Sequence, residues 1–121
     1  MNKDGVYIYL PGEHAVGLIK PGDARSALSR AAPGQRFVAE APVSIVITAV
    51  CRRTSARYGE RAGGYVHMEA GHAAQNIHLA AVSLGLGSVP MGAFNDGDVK
   101  DVLDLPEDHE PLYIIPAGFE R

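Results

Sequence analysis

The stretch YVHMEAGHAAQNIHLAAVSL, Tyr65 to Leu84, limits what this chain can fold into more than any other. At about 100° per residue, Val66, Ala70, Ala73, Ile77, Ala81 and Leu84 share one helical face, while Met68, Leu79 and Val82 fall well outside it. A helix that is apolar nearly all round must be covered on several sides. A chain of 121 residues has little material with which to surround an element about 30 Å long. Either the chain buries the helix wholly within itself or a second subunit supplies cover, and the second is the expectation. A narrow polar stripe remains: Tyr65, Glu69, His72, Asn76 and Ser83 lie within about 60° of one another and should bond to each other or to backbone.

The other segments read as a single α and β mixture without repeats or linkers. GVYIYL and HAVGLIK alternate on either side of Pro11-Gly12-Glu13, as a hairpin with one exposed face would. Asp23 is placed to cap a helix through Arg25, Leu28 and Ala31 that ends at Pro33-Gly34. VSIVITAV is apolar almost throughout and predicts a central strand covered on both faces. A helix from about Asp98 to Leu103 and a last strand, PLYIIP, close one α+β domain with a mixed sheet.

Charge and composition exclude several function classes. Eleven basic against fourteen acidic residues, a formal charge of −3 and no Lys/Arg cluster argue against nucleic acid. MNKDGVYIYL lacks the apolar core of a signal peptide, and no apolar run approaches the roughly 20 residues that cross a bilayer, so a cytoplasmic protein without a membrane partner is expected. The single cysteine, Cys51, reads as a buried structural thiol. Glu69 and His72 have the Glu-x-x-His spacing of carboxylate-bridged metal bundles, but one copy of the motif makes no such site. His67 and His78 lie about 16 Å apart along the helix and cannot chelate one ion, so no metal is expected.

EAGHAAQN, GLGSVPMGAF and the terminal IIPAG, with GVYIYLPGEHAVGLIKPGDARSAL and GQRFVAEAPVSIVITAV upstream, resemble nitroreductase-family flavoproteins, most closely the SagB-type dehydrogenases. The long run from Ala56 onward looks like the C-terminal half of these proteins, and the likeness reaches practically the whole chain. The resemblance implies an α+β homodimer with the long helix at the interface, FMN bound between subunits, and hydride passed from NAD(P)H to a small organic acceptor. It also implies that Pro90, Met91, Gly92 and Ala93 run along the flavin edge, where a backbone N–H faces the nitrogen that accepts hydride. Gly92 then leaves room for the ring; the plainer alternative is a glycine ending a strand before a turn at Asn95-Asp96-Gly97.

Two departures from the family pattern bear on activity. The Arg-rich segment that grips the FMN phosphate in nitroreductases has no counterpart in these residues, which leaves Arg121 as the candidate phosphate ligand and weak FMN binding as the expectation. Azoline-oxidising relatives carry Lys-Tyr where this chain has Arg57-Tyr58, the candidate catalytic pair. An arginine orients or stabilises an anion but does not act as a base, so generic flavin reduction is favoured over azole formation. The alternative from another class is a non-catalytic flavin-binding or interaction subunit completed by another chain.

Overall fold

The computed structural model describes residues 1–120. The chain opens with a two-stranded antiparallel hairpin, β1 (Gly5–Leu10) and β2 (Ala15–Pro21), followed by α1 (Arg25–Ala31) and α2 (Phe37–Glu40). Next come β3 (Val43–Ala49), α3 (Cys51–Tyr58), a 3-10 turn at Gly59–Arg61 and α4 (Ala62–Ser83). The order closes with β4 (Gly87–Ser88), α5 (Asp96–Leu103) and β5 (Glu110–Gly118). β3, β5 and β4 form a three-stranded sheet in that spatial order. Its pairings are antiparallel, so the mixture in this α+β fold is of strands with helices and not of strand directions.

The expectation of a central strand covered on both faces is met by β5, not by VSIVITAV. β3 lies at the edge of its sheet, with Ile45 41% exposed. In β5, Ile114 and Ile115 are both fully buried although they point to opposite faces. The run in β3 reads as central because it is apolar almost throughout. The two prolines of β5 stand where a missing ladder donor is tolerated. Pro111 adjoins a register shift, and Pro116 offers its carbonyl to Val89 N–H at 3.4 Å. The main core gathers Leu28 of α1, Val38 of α2, Val99 and Leu103 of α5, Met91 and Ile114.

Helix ends follow local chemistry. Ala24, not Asp23, is the residue flanking α1, and no side chain caps it. Asp23 sits one residue further out, accepts a bond from Arg25 N–H and pairs with the Arg25 guanidinium at 2.8 Å. That hydrogen-bonded pairing lowers the Asp23 carboxyl to about 2. α5 begins earlier than its apolar pattern implies, because Asn95 Oδ1 accepts from Asp98 N–H at 2.9 Å, and Asp96 and Asp98 favour the positive end of the helix. The expected Asn95-Asp96-Gly97 turn is therefore a capped helix start. Cys51 opens α3 and is only partly buried, in place of the expected buried thiol.

α4 is longer at its N-terminus than the apolar pattern indicated, and only alanines, Ala62, Ala70, Ala74 and Ala81, are buried along it. Ala73 and Leu84 are exposed, contrary to their assignment to the buried face. Met68, Leu79 and Val82 stand 60%, 59% and 73% exposed. In the polar stripe, Tyr65 receives a bond from Arg61 and Ser83 bonds to the Ala80 carbonyl. The helix ends at Gly85, φ 73°, where Gly85 N–H returns to Val82 O and Leu86 N–H to Ala81 O. This double return needs the left-handed conformation that glycine adopts without strain, and it swings the chain back into β4.

Removing the α5 cap gives a direct check on these boundaries. Asn95→Ala should cost about 1 kcal/mol, read as a lower urea midpoint at unchanged slope. An unchanged midpoint would mean that packing alone holds the helix start.

Candidate functional site

The segment after β4 is fixed to the sheet at one residue and free at the next. Met91 is buried in the core, and its N–H and C=O bond to Ile114 at 2.8 and 2.9 Å. Its backbone groups are thus spent on the sheet. Gly92 and Ala93 are exposed, and a Cβ built on Gly92 meets nothing within 4 Å. Open space therefore lies against bare backbone at Gly92, and among the described residues neither the Gly92 nor the Ala93 N–H has a partner. Pro90 is exposed beside them. Arg121 lies outside the described residues.

A groove of about 860 Å³ runs over β3, α3 and the first half of α4. Its floor includes Ile47 and Leu112, and its polar wall includes Arg53, Tyr58, Glu69 and His72. Leu112 reaches the groove because the β3–β5 register shifts between Ile47 and Thr48, leaving Leu112 without a cross-strand partner. The Tyr58 and Tyr65 rings meet edge to face at 5.1 Å, and the Arg57 guanidinium sits 5.5 Å from the Tyr58 ring centre. Tyr58 faces the groove; Arg57 does not line it and stands beside the Tyr58 ring. Neighbouring Arg52 is occupied by Asp108 at 2.8 Å, a bond that lowers the Asp108 carboxyl.

The groove and the Gly92 segment stand at the same level of the sheet. Ile114 pairs with Met91 on one side and with Val46 on the other, and Val46 directly precedes the groove residue Ile47. β5 separates the two places, and neither Gly92 nor Ala93 lines the groove. Arg57 and Tyr58 are thus brought together with each other but not with Pro90–Ala93. Glu69 and His72 carry groove positions to which the sequence assigned no role, their spacing on one stripe being the available signal, whereas Arg53 stands out in the sequence as part of the basic cluster Arg52, Arg53 and Arg57, the candidate replacement for a missing phosphate clamp. Among the described residues, no group of three or more His, Cys, Asp or Glu comes together to hold an ion.

The nitroreductase family matches residues 3–119. A nitroreductase-like protein of Methanocaldococcus jannaschii is 43% identical over 116 residues, covering 96% of this chain and 58% of the relative. The chain thus spans little more than half of that relative's length. A solved nitroreductase-like protein of Anabaena variabilis superposes with a TM-score of 0.90 at 35% identity, over 97% of this chain and 24% of that one. The NADPH:FMN oxidoreductase of Vibrio harveyi, solved with NAD+, superposes with a TM-score of 0.66 at 27% identity, over 79% of this chain and 45% of that one. With sequence and fold in agreement along nearly its whole length, the chain belongs to the nitroreductase family.

Proposed function

We propose that this chain provides the ring-binding part of an FMN-dependent oxidoreductase that takes hydride from NAD(P)H and delivers it to a small organic acceptor. The observation that carries the reading is the open backbone at Gly92, next to a residue locked into the sheet. A flat ring fits there because no side chain occupies the space and because unpartnered N–H groups are available to an acceptor atom. Bound FMN would supply the redox chemistry, accepting hydride and passing it on. The chain's own part is to present a rigid donor edge at Gly92 and Ala93, with Met91 locked into the sheet behind it and Pro90 exposed beside it.

Tyr58 would hold the acceptor at the groove, with Arg57 beside its ring; because β5 separates the groove from Gly92 within one chain, the acceptor would meet a flavin held by the partner subunit. The phenol offers a hydrogen bond, and the guanidinium favours an acceptor that carries or develops negative charge. The phosphate of FMN would fall to Arg121, or to the α3 arginines that Asp108 does not occupy. We place the protein in the cytoplasm; among the described residues no helix is long and apolar enough to cross a membrane.

The functional unit would be a homodimer. The exposure of Met68, Leu79 and Val82 on α4 supports this, because large apolar side chains left in water on one helix are places for a partner to cover. Light scattering at micromolar concentration should give a dimer, and Leu79→Glu with Val82→Glu should yield monomer. A wild-type protein that stays monomeric and folded would show that α4 needs no partner.

The flavin reading is tested by FMN titration and NAD(P)H oxidation with a quinone acceptor. Turnover should require added FMN. Gly92→Leu should weaken FMN binding roughly tenfold or more, equivalent to about 1.4 kcal/mol, at nearly unchanged thermal midpoint because nothing lies within 4 Å of the new Cβ. Equal affinity in the variant would remove Gly92 from the site. Folded dimer without flavin-dependent turnover would leave the non-catalytic reading in its place.

A further inference from the structure

We infer that His78 is a positioning residue for the Pro90–Ala93 edge, acting through Ser88; the inference rests on the flavin reading above. His78 stands near the end of α4, and its Nδ1 shares a hydrogen bond with Ser88 Oγ on β4. Among the described residues this is the only side-chain hydrogen bond made between Leu84 and Phe94.

The backbone leaves this stretch lightly held. β4 has two residues and two partners, Gly87 opposite Gly118 and Ser88 opposite Ala117. Beyond it, Val89 N–H reaches Pro116 O only at 3.4 Å, and Pro90 has no N–H to give. The ladder therefore weakens between Ser88 and Met91. A strand with two paired residues has few bonds of its own to keep it from sliding. The His78 bond fixes Ser88 to a rigid helix, and so sets where the chain enters the Met91 bridge and where Gly92 emerges from it.

The histidine itself points the same way. Its Nε2 is buried and has no partner among the described residues. An apolar side chain at this position would avoid the desolvation cost of that nitrogen. What an apolar side chain could not supply is the Nδ1 contact with Ser88.

The test compares His78→Ala, His78→Asn, His78→Gln and Ser88→Ala. Asparagine places a polar atom where Nδ1 stands, whereas glutamine places one where Nε2 stands. Without FMN, His78→Ala and Ser88→Ala should speed exchange of the bonded Val89 and Met91 amides by about tenfold, leaving the Ile45 and Ile115 amides of the main ladder unchanged. The asparagine variant should restore slow exchange, and the glutamine variant should not. With FMN, the alanine variants should bind about three- to tenfold more weakly and shift the visible band of the bound flavin. Local exchange and flavin band unchanged in folded alanine variants would overturn the inference. Uniformly faster exchange across the sheet would also overturn it, because His78 would then serve global stability alone. If the wild type takes no FMN, the flavin reading fails, and the exchange comparison still decides whether His78 sets this segment.

Discussion

Ile114 ties the Gly92 segment to the core of this molecule. Its backbone bonds to Met91 on one side, its strand pairs it with Val46 on the other, and its side chain is fully buried in the core cluster to which α1, α2 and α5 contribute. Full burial of such a side chain stabilises by about 1.5–3 kcal/mol, and the paired amides spare the cost of buried unpartnered polar groups. The same residue thus locks the core and locks Met91. Gly92 owes its fixed place to that lock, since a backbone donor is useful to a ligand only when it does not move.

A second constraint comes from α4. Its inner face is alanine, which lets the helix lie close to the sheet, while larger apolar side chains point outward. The arrangement separates two jobs along one helix. Its first half walls the groove with Tyr65, Glu69 and His72, and its last turns hold β4 through His78 and the return at Gly85. Substitutions on the outer face should therefore affect association, and those near the C-terminus the placement of the Gly92 edge.

Much of this was legible in the residues. The hairpin alternation, the long apolar helix and the glycines around GLGSVPMGAF each have a local cause that survives into the fold. What failed to show was competition between segments. VSIVITAV and PLYIIP both read as strands, and the unbroken apolar run made the first look central; the fold instead centres β5, with Pro111 at a register shift and the Pro116 carbonyl accepting from Val89 N–H. Asp23 looked like a cap because its type and spacing were right, but its carboxylate was taken by Arg25 one residue too early. The groove was the least legible feature. Arg53, Tyr58, Glu69 and His72 meet only because α3 and α4 fold back on β3, and no local pattern encodes that closure.

Amide NMR of the labelled protein during FMN titration will show whether the free backbone edge at Gly92 and Ala93 receives a flavin ring, as we propose. Saturable shifts should be largest at Gly92 and Ala93, with Met91 and Ile114 keeping their slow exchange because their bond to each other is not disturbed. Saturable binding that leaves residues 90–93 unshifted, or no binding to the folded protein, would contradict the proposal.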